Sequence, residues 1–172
     1  MRIFLTGMPG SGKSTIAKEF ALLNGIDFYD TDALIEEKYH KRISEIFKSE
    51  GENTFRIYER RILKSLLEKH NIIVATGGGT ACFRDNMTLM NDAGITVYLN
   101  VRIENLFQRL KSLTDRPLLE NKKGDELKNY LQSVLTEREP YYLKSKYIVN
   151  ADCGVSDILN SEPFNLKDIL GI

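Results

Sequence analysis

Apolar residues fall along this chain in two rhythms, and each predicts a different kind of element. Ile3-Phe4-Leu5, Ile72-Ile73-Val74-Ala75, Thr96-Val97-Tyr98-Leu99 and Tyr147-Ile148-Val149 are short runs bounded by polar residues. Runs of this length without apolar/polar alternation suit strands buried on both faces, so they predict a parallel sheet with helices packed on each side. Phe28-Tyr29 predicts a shorter strand of the same kind. Between the runs, Ile16, Ala17, Phe20 and Leu23 recur at helical spacing until Gly25 offers a C-terminal cap. From Glu52 to Lys69, Phe55, Tyr58, Ile62 and Leu66 with neighbouring Leu63 and Leu67 predict a long amphipathic helix. A short helix is expected through Ala33-Leu34-Ile35-Glu36-Glu37 with Asp32 as its N-cap, and another from about Asp125 to Arg138. Strands alternating with helices define an α/β chain.

Ser112 to Gly124 is the one long polar interruption, and a connection of that length is either a functional lid or an ordinary solvated loop. There is no internal repeat or proline-rich linker, so residues 1–172 are read as a single domain. Basic and acidic residues balance at 24 each, which argues against a general electrostatic footprint for nucleic acid or an anionic membrane. No run approaches the roughly 20 apolar residues of a membrane span. Cys82 and Cys153, like His40 and His70, show no metal-ligand spacing, so a soluble cytoplasmic protein with reduced thiols is expected.

The chemistry begins directly after the first apolar run. Gly7-Met8-Pro9-Gly10-Ser11-Gly12-Lys13-Ser14-Thr15 carries the G-x-x-x-x-G-K-[ST] spacing between a predicted strand and a predicted helix. Backbone NH groups of such a loop converge on phosphate oxygens, the helix N-terminus adds partial positive charge, and Lys13, expected to face solvent, bridges terminal phosphates. Ser14 is the expected magnesium ligand. A glycine-rich turn with a capped helix accounts for Gly-Ser-Gly alone, but not for the full spacing.

Asp30-Thr31-Asp32 follows the second strand at its carboxyl end, where open α/β sheets place ligands. One carboxylate there suits magnesium through water, and the other suits a hydrogen bond from a substrate hydroxyl. Arg56 and Glu59 lie three apart on the long helix, a spacing that also fits a plain solvent-exposed ion pair. Thr76-Gly77-Gly78-Gly79-Thr80 closes the third strand, either to let backbone NH groups approach a ligand or to make a tight bend. Arg116 precedes Pro117 in the polar connection, and Arg138 precedes Pro140. Arginine suits a carboxylate because its planar fork donates two parallel bonds.

Together these residues resemble the shikimate kinase family. The resemblance runs over nearly the whole chain: the phosphate loop, Asp30-Thr31-Asp32, Phe47 with Gly51-Glu52 and Phe55-Arg56 before Glu59, Gly77-Gly78-Gly79, Arg116-Pro117-Leu118-Leu119, and Arg138 before Pro140-Tyr141. It implies a P-loop fold of nucleoside monophosphate kinase type with a five-stranded parallel sheet in the order 2-3-1-4-5, a substrate region about 32–60 and a lid about 112–124. The implied reaction moves the terminal phosphoryl group of ATP to the 3-hydroxyl of shikimate, on the way to aromatic amino acids, in a monomeric enzyme using Mg2+. By resemblance, Gly10, Ser11, Gly12, Lys13, Ser14 and Thr15 hold ATP. Asp32 and Gly79 bind ring hydroxyls with Gly77 and Gly78 beside them, Gly78 lending a backbone donor. Arg56 and Arg138 take the carboxylate, Glu59 orients Asp32 and Arg56, Asp30 supports magnesium through water, and Arg116 reaches ATP. Asp32 is the candidate acceptor of the hydroxyl proton.

One position departs from the family pattern. The segment after the last strand, Asn150-Ala151-Asp152-Cys153-Gly154-Val155, lacks the arginine often found beside adenine, which leaves Arg109 as the expected packing partner for the base. A kinase of another small acid such as gluconate, or of a nucleoside monophosphate, is the nearest alternative. A GTP-driven switch is more remote, because the base-reading N-K-x-D pattern is missing: Asn121-Lys122-Lys123 is followed by Gly124.

Overall fold

The structure, a computed structural model, describes residues 1–111, 124–161 and 164. Arg116 and the connection from 112 to 123 therefore lie outside the described residues. Within them, five strands form one parallel sheet: β1 (Arg2–Thr6), β2 (Asp27–Asp30), β3 (Ile72–Ala75), β4 (Ile95–Asn100) and β5 (Tyr147–Asn150), in the order β2-β3-β1-β4-β5. The expected order and direction both hold. After β1 the chain goes to the edge strand β2, returns inward to β3 beside β1, then crosses to β4 on the other side of β1 and outward to β5. The carboxyl end of β1 is thus a switch point, the place where such sheets open a crevice for ligands.

Strands β1 and β3 are buried nearly throughout, because helices cover both faces. The fifth differs from expectation: in β5 only Val149 is buried, while Tyr147 and Ile148 are exposed. An edge strand with a neighbour on one side alone leaves such residues uncovered, and the apolar run does not reveal that β5, like β2, lies at an edge.

The helices are α1 (Lys13–Asn24), α2 (Thr31–Tyr39), α3 (Ile43–Leu67), α4 (Asn86–Ala93), α5 (Ile103–Leu110), α6 (Gly124–Tyr142) and α7 (Val155–Leu159). Two boundaries differ from the sequence reading. Helix α3 starts well before Glu52 and is interrupted at Gly51, whose φ of 83° and ψ of 166° are not helical, so two helices meet there at a kink. The first piece is mostly polar and buries only Ile46, which hides its period. Helix α6 passes through Pro140 instead of ending at Arg138. Its last turn is held by Tyr142, which is buried against Tyr98 with ring centroids 5.1 Å apart and donates its hydroxyl to Gly78 O at 2.5 Å.

Candidate active site

The phosphate loop joins β1 to α1 with Gly10 and Gly12 at φ of 81° and 95°, a left-handed geometry that turns successive NH groups toward one point. Gly12 is the N-cap of α1 and offers no side-chain acceptor, so the first-turn NH groups remain available to an anion. Lys13 corrects one expectation: it is not solvent-facing but only 8% exposed. Its Nζ donates to Gly7 O at 2.9 Å, Met8 O at 2.8 Å and Ser11 Oγ at 3.3 Å. The ammonium is therefore folded into the loop it serves.

Across the crevice, Asp30 rather than Asp32 caps α2. Its Oδ1 accepts from Asp32 N at 2.9 Å and Ala33 N at 3.3 Å, while its Oδ2 accepts from Ser14 Oγ at 2.6 Å. Helix α2 starts at Thr31, so its N-cap falls at Asp30, two residues before the expected Asp32. Asp32 is thereby relieved of capping. These two groups, a hydroxyl and a carboxylate, are hard oxygen donors of the kind Mg2+ accepts alongside phosphate oxygens and water.

The triple glycine follows β3, and the structure favours a reason other than left-handed backbone, since none of the three has a positive φ. What they supply is room. A Cβ on Gly77 would meet Glu59 Oε1, with Asp32 Oδ1 at 2.9 Å and Thr80 Oγ1 at 3.0 Å; one on Gly78 would meet Pro9 at 2.8 Å. A Cβ on Gly79 would run into the Arg56 guanidinium. The NH of Gly77 is already used, donating to Thr31 Oγ1 at 2.8 Å. We expect Gly79→Ala to destabilise the protein by about 1–3 kcal/mol, as overpacking does, with the loss read by denaturant unfolding.

Arg56 and Glu59 are not the exposed pair that spacing alone suggests. Glu59 has no exposed side-chain area and Arg56 has 11%; they bond at 2.5 Å, and Thr80 Oγ1 donates to Glu59 at 2.6 Å. Burial alone would lower the Arg56 pKa, but the Glu59 and Glu52 carboxylates outweigh it and raise it. Arg138, half-buried on α6, faces the same region. Burial pushes the Cys82 thiol up to about 11 while the charges of Arg138 and Arg56 both pull it down, and the raised Tyr142 phenol also feels Arg138. Two arginines from separate helices thus share one neighbourhood.

On the far side of the loop, Arg109 of α5 donates to Gly10 O at 3.3 Å, Ser11 O at 3.4 Å and Ala151 O at 3.0 Å. It ties the phosphate loop to the segment after β5, where sequence shows no arginine. Asp152 secures that segment by accepting from Arg102 Nε and Asn105 at 2.7 Å each. A cleft of 540 Å3 runs from Arg109 and Cys153 past residues 10–15 to Asp30, Asp32, Gly77 and Gly78. Arg56, Glu59 and Gly79 lie beyond its Gly77 end, and Arg138 lies near them. Thr31, Thr80 and Tyr142, which brace the glycines, were not singled out from sequence. Hydroxyl side chains carry no periodic signal, and their value appears only once the strands are in register.

The arrangement can hold a polyphosphate at the loop and present a second ligand, bearing an anion, from the Asp32 side. A family model described as shikimate kinase matches residues 9–161. The chain is 45% identical over 153 residues to a shikimate kinase of Bacteroides thetaiotaomicron, covering 88% of this chain and 87% of that one. A solved structure of shikimate kinase from the same organism superposes with a TM-score of 0.91 at 40% identity, covering 100% of this chain and 99% of its own. The shikimate kinase of Acinetobacter baumannii, solved in complex with shikimate, gives a TM-score of 0.88 at 33% identity over 99% of this chain and 93% of that one.

Proposed function

The chain belongs to the shikimate kinase family, an ATP-dependent phosphotransferase family, and we propose from that premise how its residues divide the work of phosphorylating shikimate. ATP lies with its phosphates on residues 10–15 and its base toward Arg109 and the segment after β5. Phosphoryl transfer needs alignment and charge stabilisation more than covalent chemistry. Lys13 and the first-turn NH groups of α1 supply positive charge to the transferring group, and Arg116 adds to it by resemblance. Ser14 and Asp30 are the donors suited to Mg2+, which when bound neutralises phosphate charge.

Shikimate lies between α2, α3 and α6. Arg56 and Arg138 read its carboxylate, Asp32 accepts a hydrogen bond and then the proton from the 3-hydroxyl, and Glu59 fixes Arg56 from behind. Gly77, Gly78 and Gly79 keep the floor low enough for the ring to pass over it. The reading is of a cytoplasmic, monomeric enzyme. Among the described residues no helix is long and apolar enough to cross a membrane.

One observation carries this reading: Asp32 and Glu59 both stand against Gly77, and Arg56 against Gly79, so a continuous polar path leads from the phosphate loop to a largely buried arginine. A gluconate acceptor would also present a carboxylate and hydroxyls, so substrate assays should include both acids. Arg56→Ala and Arg138→Ala test the clamp. Hydrogen bonds to charged groups are worth about 1.5–3 kcal/mol, so each change should weaken shikimate binding on the order of ten- to a hundredfold and leave ATP binding without shikimate little altered. Shikimate amide should bind the parent less well than the acid does, with the gap narrowing in both variants. A gap of the same size in parent and variants would remove these arginines from carboxylate reading.

A further inference from the structure

We propose that Glu52 is an internal competitor for the substrate carboxylate, occupying the solvent side of Arg56 and thereby setting the affinity of the acceptor site. The inference rests on Arg56 being the carboxylate reader. Arg56 carries two carboxylate partners from its own helix. Glu59 takes NH1 at 2.5 Å and is wholly buried; Glu52 takes NH2 at 2.8 Å and is 57% exposed.

The two carboxylates do different things. Glu59 is fixed on other sides as well, by Thr80 and by its press against Gly77, so it stays when a ligand arrives. Glu52 is the first residue beyond the Gly51 kink and reaches Arg56 across one helical turn. Its charge also acts on Tyr130 of α6, whose phenol is raised by burial first, is lowered by Arg138 and is raised again by Glu52. Glu52 therefore lies close enough to α6, the helix that carries Arg138, for its charge to act there. An arriving carboxylate that seeks the open side of Arg56 meets a carboxylate already bonded there, and two like charges cannot share one guanidinium edge without loss.

Binding is then an exchange of one charge-assisted bond for another. The empty enzyme keeps a largely buried guanidinium paired, and the ligand gains only the difference between its own contact and the one it displaces. Phosphorylating a ring hydroxyl leaves the carboxylate unchanged, so the product faces the same competitor on its way out.

Glu52→Gln removes the charge and keeps the shape. The KM for shikimate should fall about two- to fivefold, the scale of a partly exposed ion pair, and the inhibition constant of the phosphorylated product should fall by a similar factor. Shikimate amide, which has no charge to be repelled and whose NH2 can donate to Glu52, should gain nothing. Glu52→Ala should shift the acid in the same direction. A raised or unchanged KM for the acid, or an equal gain for acid and amide, overturns the proposal. If Arg56→Ala narrows the acid-amide gap while Glu52→Gln does not help the acid, the clamp stands and the competitor falls. If Arg56→Ala leaves that gap intact, the clamp itself is wrong and the competitor falls with it.

Discussion

Lys13→Met is expected to lower turnover by at least about 100- to 1,000-fold, the effect of removing one preorganised donor from developing negative charge. Methionine keeps most of the aliphatic length and loses only the ammonium, so the result isolates charge from packing. The fold should register the change too. Lys13 Nζ holds the carbonyls of Gly7 and Met8, both in the buried stretch at the end of β1. Leaving buried acceptors unmatched costs about 1–3 kcal/mol, and in a protein of this size each kcal/mol lowers the melting temperature by about 2–4 °C. Single-turnover kinetics at saturating ATP and a thermal melt check the two halves separately. Near-normal turnover would remove Lys13 from the mechanism; an unchanged melt would mean that solvent replaces its contacts.

Asp32→Asn should reduce turnover by about 100- to 10,000-fold, the range associated with a positioned general base. The capping arrangement makes this a clean test. Asp30, not Asp32, accepts from the first NH groups of α2, so asparagine at 32 leaves the helix capped, and circular dichroism should not change. Glu59 Oε1 and Asp32 Oδ1 both stand against Gly77, so the substitution also relieves a like charge near Glu59. Activity retained within a few fold would show that Asp32 aligns the hydroxyl without taking its proton.

The sheet was largely legible because β1, β3 and β4 are buried and therefore read as unbroken apolar runs. Where covering is one-sided or polar, the sequence misleads. Tyr147 and Ile148 look like core but lie on an edge strand, and the first part of α3, before Glu52, carries no helical apolar period but is helix. The same holds in the site. Spacing puts Arg56 and Glu59 on one helix face, yet only packing of α3 against the glycine turn decides that the face is buried. Burial turns a weak surface pair into a fixed, oriented charge. Asp32 and Asp30 could not be told apart by type, because either can cap a helix; the strand end, which sequence locates only to within a residue or two, assigns the task. Arg109 was recognisable as a partner for the base only by resemblance, and its three backbone acceptors come from segments about forty and a hundred positions away in the chain.

Asp30 spends one oxygen on the α1 side of the crevice, at Ser14, and the other on the first turn of α2. A single carboxylate thus joins the start of α1, which ends the phosphate loop, to the start of α2, on the side proposed for the acceptor. Anything that draws the Ser14 hydroxyl toward a phosphate or a cation redistributes charge at the start of the helix that bears Asp32. Linkage then imposes a symmetry on the two ligands: by whatever factor nucleotide alters the affinity for the acceptor, the acceptor alters the affinity for nucleotide by the same factor. A change at this carboxylate that alters the coupling therefore alters it equally for both ligands.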